Sequence, residues 1–509
     1  MRKALPGSTA SHATFNQIDA WLHQCITEHS GCALKAVKSF LPTRLLDVSQ
    51  WHNRKALRLV DSQKFGSFIP AYIALSHRWN RQVEASSSTC SNINDRFNKI
   101  DADALPKLFL DAVEATARLD TRYLWIDSLC IVQDDALDWA REAALMSGIY
   151  QNAYCTFSAS LFDTDEKGLF REYDAKHDLV NAVIGSGETS TSVQFCKAMG
   201  PWDRDITQGP LQSRGWCYQE RELSPRIVYW TAHQVLWECC TWRTCERKPA
   251  THNRDLISTP TSRPRTFANI GNASRFEAFV LWRRVVQEYT KRDLSVATDR
   301  LPALGGMARI IHMQLGSDYL AGIWAVDLQR SLLWKAAYFQ ALKRPDVYVA
   351  PSWSWAALSG PVSFEFIDDV GYSPYSMLRN GVALVDTCRA EPSTADAYGA
   401  VRSGQLTVTA PVLDGDLLPS AHHERHLYDL YTVGVVRFGQ MQFDIGADAE
   451  HISAVKCIAL CAMDHNNIGE GIALVSVEGS TTVYKRIGYV WDLDIALFEQ
   501  ADIETITII

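Results

Sequence analysis

Two short apolar runs end in polar residues that have the types needed for shared chemistry. Tyr72-Ile73-Ala74-Leu75 runs into Ser76-His77-Arg78-Trp79-Asn80, and Tyr123-Leu124-Trp125-Ile126 runs into Asp127-Ser128-Leu129-Cys130, with Gln133 just beyond. Runs of this kind suit buried strands of a parallel sheet, and open parallel sheets bind ligands beyond the carboxyl ends of their strands. One edge would then gather a hydroxyl, an imidazole, a guanidinium, a carboxylate and a thiol. The plainer reading is that these residues cap strands and bind their own loops. His77 with Cys130 has the makings of a thiolate pair, yet Cys130 fits better as a small buried hydrophobe. Ser128 with His77 and Asp127 is weaker, because adjacent strand residues face opposite ways and no G-x-S-x-G elbow is present.

The segment Ser213 to Trp230, SRGWCYQERELSPRIVYW, is the densest in charge and aromatics. A helix there sets Trp216 and Glu220 one turn apart; Pro225 ends it, and Ile227-Val228-Tyr229 starts a strand. Alternating charge usually marks a solvated or salt-bridged face. Cys239, Cys240 and Cys245 cluster near His233, but without a C-x-x-C or a second ligand pair they predict no metal site. Neither phosphate-cradling glycine loop is present, so no cofactor is expected.

Around these residues the pattern is strand, helix, strand. Asp134 or Asp135 caps a helix whose buried stripe is Leu137, Ala140, Ala144, Met146 and Tyr150, and an apolar stretch from Ala153 to Ala159 follows. Ile18, Trp21, Leu22 and Ile26 share one face of an earlier helix. Polar stretches at 86–91, 185–192, 251–266 and 391–400 read as surface loops or connections. From Phe276 to about Phe339 the spacing is helical, with Trp282, Val285, Val286 and Tyr289 inward. Beyond Val401 it alternates, as in Leu406, Val408, Ala410 and Val412, and Glu478-Gly479-Ser480 turns a hairpin.

With 509 residues, 47% hydrophobic and 21% charged, the chain can bury several cores and is no disordered protein. Its net charge of −8 argues against a general nucleic-acid or membrane-surface binder. Thirteen scattered cysteines fit free thiols in a reducing compartment. No secretory leader or membrane span is read, so a cytoplasmic protein is expected. Sixteen tryptophans are the compositional outlier, and composition alone cannot divide them between core and cleft.

Taken together, these segments resemble the fungal heterokaryon-incompatibility (HET) domain family. Its three blocks occur in order: YIALSHRWN at 72–80, YLWIDSLCIVQDDALDWAREAALMSGIYQNA at 123–153, and RGWCYQERELSPR at 214–226. LPTRLLDV at 41–48 and PSWSWA at 351–356 extend the resemblance over roughly 40–360. One departure is Asn80, where the block usually ends in Gly. The resemblance implies an α/β fold, a parallel sheet flanked by helices like that of Toll/interleukin-1 receptor (TIR) domains. A helical section and a β-rich C-terminal region would follow it. The expected units are 1–40, 41–250, 267–390 and 401–509.

The resemblance further implies non-self recognition and programmed cell death. The third block also looks like the W-C-x-x-E-L neighbourhood of NAD-hydrolysing TIR domains. Carried over, Trp216, Cys217 and Glu220 match, Glu220 being the candidate catalytic acid, though Arg221 and Glu222 intervene before Leu223. His77 and Asp127 join it as candidate catalytic groups, and Ser76, Arg78, Trp79, Ser128, Cys130, Gln133 and Trp216 as candidate substrate contacts. The partners implied are other HET or NLR-type proteins, with oligomerisation open. The alternative is a cofactor-free cyclase or isomerase of secondary metabolism acting on an apolar small molecule.

Overall fold

A computed structural model describes residues 7–33, 40–160, 168–172, 179–184, 191–196, 202–232, 234–246, 267, 270–337, 342–364, 378–380, 383–420, 427–432, 436–463 and 467–509. His233 and the 251–266 connection lie outside them. The chain divides into two compact units, Met1–Asn269 and Ile270–Ile509.

The first unit contains β1 (Arg44–Asp47), β2 (Arg58–Asp61), β3 (Tyr72–Ser76), β4 (Tyr123–Trp125) and β5 (Cys155–Ser160), then a separate hairpin, β6 (Leu179–Ile184) and β7 (Thr191–Cys196). β8 (Arg226–Thr231), β9 (Val235–Cys239) and β10 (Arg243–Cys245) complete it. The eight-stranded sheet runs β10-β9-β8-β5-β3-β4-β1-β2. Its four central strands are parallel, and antiparallel pairs extend both edges, so the expected parallel sheet is the centre of a mixed one. Central strands covered on both faces must be apolar throughout; β3, β4 and β5 are buried at every residue. The crossover from β3 to β4 carries the Lys107–Arg118 helix, which turns Leu108, Phe109, Ala112 and Val113 inward.

The crossover from β4 to β5 is the Ala136–Asn152 helix, started by Asp135, whose carboxylate accepts from the Leu137 and Asp138 amides. Its buried face differs from the apolar stripe expected. Leu137 is 82% exposed, while Asp138 and Glu142 turn inward beside Met146, Ile149 and Tyr150. The reason is Arg44 on β1, which pairs with Asp138, lies 3.7 Å from Glu142 and donates to the Cys130 carbonyl at 2.6 Å. Buried charge of this kind persists only when paired. Likewise Ser86, Ser87 and Ser88 are buried rather than forming the surface loop expected. Arg96 donates to the Ser86 and Ser87 carbonyls, and the Ser88 backbone pairs with Ser128 and Gln133 at 2.8 Å. The amino-terminal helix His12–Glu28 buries Phe15, Ile18, Trp21 and Leu22 as its periodicity predicts, but Ile26 is 43% exposed.

In the second unit the Arg275–Thr290 helix opens with a capping box between Ser274 and Glu277 and buries Trp282, Val285, Val286 and Tyr289. A second helix, Pro302–Leu315, ends at Gly316 in the left-handed region. The expected helical section stops there: Tyr319–Leu320 pairs with Ile323–Trp324, and Trp334–Ala336 with Val362–Phe364. Beyond Gly316, Ala321 and Gly322 turn the Tyr319–Trp324 hairpin with φ of 46° and 96°, which helical backbone excludes. The Gly322 carbonyl accepts from the indoles of both Trp282 and Trp355 at 2.9 Å. A Cβ on Gly322 would lie 2.7 Å from Trp355 Nε1. Gly322→Ala is therefore expected to cost about 1–3 kcal/mol through overpacking and φ strain, read as a lowered urea midpoint at unchanged slope.

The β region closes on itself. Val401–Pro419 pairs with Leu427–Tyr431, then Arg437–Phe443, Val483–Asp494, Ile468–Ser476 and Ala454–Met463 follow, and the last returns to Val401–Pro419. Closure removes free edges from these six strands. Leu406, Val408, Ala410 and Val412 alternate inward as expected. The Glu478-Gly479-Ser480 turn forms the hairpin, with Gly479 at φ 78°.

Candidate active site

The parallel register sets Ala74 against Trp125 and Ser76 against Ser158, so β3 and β4 end together and release His77 and Asp127 at one edge. The first turn after β4 is the short Asp127–Cys130 helix. Asp127 is fixed at both oxygens: Oδ1 accepts from the Ser128 amide and Oδ2 from the Trp79 indole, each at 2.7 Å. His77 Nε2 sits 3.6 Å from Asp127 Oδ1, and its ring meets Phe109 edge-on at 5.1 Å. The imidazole is buried while Asp127 keeps partial access to solvent.

The third member arrives on the Gly215–Leu223 helix, which Ser224-Pro225 ends just before β8. This helix turns Cys217, Gln219, Glu220 and Glu222 inward and leaves Trp216 half-buried, 6.3 Å from Trp139. Its charges are thus buried rather than spread over a solvated face; Arg221 pairs with Glu238 at 3.2 Å. Arg214, just before the helix, donates to the His77 carbonyl at 2.7 Å and ties the helix to the end of β3. Cys217 Sγ lies 4.0 Å from Ser76 Oγ.

Glu220 is the electrostatic outlier. Burial pushes its carboxyl from the usual range to about 7, and the Asp127 charge adds to this. The Ser76 hydroxyl, Arg214 and Cys217 act in the opposite sense without cancelling it. Among the described residues its Oε2 has no hydrogen-bond partner. A buried carboxyl titrating near neutrality close to a second acidic side chain suits proton transfer.

This has a consequence for stability. A folded-state pKa raised from 4.5 to about 7 means the contribution is full below pH 4.5 and is lost as pH rises through 7. Glu220→Gln should flatten that fall. The difference between variant and wild type should grow to at most about 3 kcal/mol in favour of the variant above pH 7. Urea unfolding at pH 5 and pH 8 checks it.

The other candidates occupy different positions at this edge. Arg78 is exposed at the end of β3. Gln133 donates to the Asp127 and Ile131 carbonyls at 3.1 Å, which holds the loop. Ser128 is fully buried, with no hydrogen-bond partner for Oγ among the described residues. Cys130 is buried too, and burial lifts its thiol to about 12, so at neutral pH it is not a thiolate. Tyr150 and Arg214 were missed as neighbours of Glu220. The Tyr150 hydroxyl donates to the Leu75 carbonyl at 3.2 Å and feels the Glu220 charge. Both lie within the family blocks, at 123–153 and 214–226, but only the fold brings them to Glu220. Asn80 adopts φ −144° and caps the next turn by accepting from the Val83 amide at 2.9 Å. The site therefore needs no glycine there.

These features define an α/β domain with a carboxylate-bearing strand edge. Residues 72–220 match the family described as heterokaryon incompatibility protein (HET). The match spans the site from the start of β3 to Glu220. Comparisons with curated proteins and with solved structures returned no match.

Proposed function

We propose that this chain is a heterokaryon-incompatibility effector that signals cell death by hydrolysing the nicotinamide–ribose bond of NAD at the β3–β4 edge. The observation that supports this reading is Glu220, a buried carboxyl with a pKa of about 7 that feels the charge of Asp127. In this hydrolysis the C1′–N bond breaks and its electron pair goes to the pyridinium nitrogen, so nicotinamide leaves neutral. Water bonds to C1′, and its proton passes to a base. No proton need be given to the leaving group, so the working form of Glu220 is the carboxylate, which also opposes the positive charge growing on the ribose. Trp79 and Ser128 hold Asp127 as a second negative charge at the edge. Arg78 is the exposed cation there for a diphosphate, and Trp216 offers a half-buried aromatic face.

Induced expression tests the cellular half of this reading. Wild-type chain should arrest growth and deplete NAD, and Glu220→Gln should do neither. Growth arrest with NAD undiminished would separate cell death from NAD cleavage and remove the enzymatic half.

A further inference from the structure

Away from that edge, the first unit gathers four metal-ligating side chains that the proposed activity does not use. The amino-terminal helix presents Cys25 at one turn from its end, His29 caps it, and Cys32 follows on the short Ser30–Ala33 turn of helix. The spacing C-x3-H-x2-C puts Cys25 and His29 on one helix face. The chain then folds back, since the Cys32 amide donates to the His29 carbonyl at 3.0 Å. The fourth group, Cys239, ends β9 at the tight turn into β10. One donor atom from each of Cys25, His29, Cys32 and Cys239 lies within 4.8 Å of every other.

We propose that Cys25, His29, Cys32 and Cys239 form a structural zinc site that clamps the amino-terminal helix to the β9–β10 end of the sheet. Zinc–sulfur bonds of about 2.3 Å place the corners of a tetrahedron about 3.8 Å apart, so the four donors need to close by at most about 1 Å. One edge is already inside that span: Cys239 Sγ is 3.4 Å from His29 Nδ1. Three cysteines and a histidine, all from the protein, leave no open position, which is the structural and not the catalytic arrangement. The three cysteines are buried, which keeps water from the metal.

The surroundings suit the charge. Three thiolates and a divalent ion leave one net negative charge, and Arg226 lies within electrostatic range of both Cys25 and His29. Thr241 Oγ1 is 3.5 Å from Cys32 Sγ, a distance at which a hydroxyl supports a bound thiolate. The Trp242 indole donates to His29 Nδ1 at 3.1 Å. Metal binding replaces that hydrogen bond, which makes Trp242 a reporter of occupancy. The helix is already seated on this end by apolar contacts, with Trp21 6.1 Å from Trp237 and Phe15 5.8 Å from Trp230.

The test uses the full chain purified from zinc-supplemented culture without chelators. Metal analysis should find one zinc ion per chain, and cobalt exchanged into it should give the intense visible bands and thiolate charge-transfer bands of a tetrahedral site. Cys32→Ser and Cys239→Ser should each lose the metal at least tenfold, whereas Cys240→Ser, one residue outside the set, should retain it. A wild-type chain with less than a tenth of an equivalent of zinc and no tetrahedral cobalt spectrum overturns the proposal. So does a mass showing a disulfide among Cys25, Cys32 and Cys239. Should the ligand variants fail to fold, the wild-type metal content and cobalt spectrum decide alone. NAD cleavage can fail with the zinc present, so the two proposals stand or fall separately.

Discussion

Glu220→Gln is expected to lower NAD cleavage by at least about 100-fold, the scale on which a positioned general base contributes, while the protein keeps its fold. The amide matches the carboxylate in shape but can neither take a proton nor carry negative charge. Burial is what makes the native side chain costly: it holds the carboxyl near pH 7, and ionisation above that pH works against folding. Loss of activity should therefore come with equal or greater stability at pH 8. That pairing separates a catalytic group from a packing one, because a structural carboxylate would lose stability when replaced. Steady-state nicotinamide release, measured with urea unfolding on the same preparations, checks both halves.

Arg486→Met is expected to be the most damaging single change in the second unit, at about 3–5 kcal/mol, the cost of stranding one member of a buried ion pair. The guanidinium is buried inside the β region, donates to Asp444 at 3.0 Å and to the carbonyls of Leu332 and Trp334, and lies 3.5 Å over the Trp334 ring. Removing it orphans the Asp444 carboxylate and two carbonyls at once. Desolvation already raises the Asp444 pKa, with Arg486 opposing it; without Arg486 the carboxyl should protonate more readily, so the loss should shrink as pH falls. Replacing both residues with apolar ones of similar volume should recover much of it. Denaturant midpoints at pH 5 and pH 8 for the single and double variants measure this.

Local pattern made much of this legible. The strand ends at Ser76 and Asp127, the helix broken by Pro225 and the Glu478-Gly479-Ser480 hairpin depend on neighbouring residues, and the structure has all of them. What depended on partners distant in sequence was not legible. The periodicity puts Leu137 in a buried stripe because the helix pattern cannot register Arg44, whose charge turns Asp138 and Glu142 inward instead. The serines at 86–88 have the composition of a surface loop, but Arg96 and the Ser128–Gln133 segment bury them. Cys239 was weighed with Cys240, Cys245 and His233, its neighbours in sequence. Its spatial companions begin at Cys25, with His29 210 positions away. Glu220 was found by resemblance, and its raised pKa by the fold, since burial has no sequence signature at a charged residue. Of the tryptophans, Trp125, Trp353 and Trp355 are fully buried core, and Trp79 and Trp216 remain partly open at the candidate site.

The most direct test of the central claim is nicotinamide release from NAD by the purified full chain, followed from pH 5 to pH 9. The predicted result is turnover that rises with pH through about 7, as Glu220 ionises, and is absent in Glu220→Gln. No release by a folded wild-type chain, or release that Glu220→Gln leaves unchanged, would contradict it.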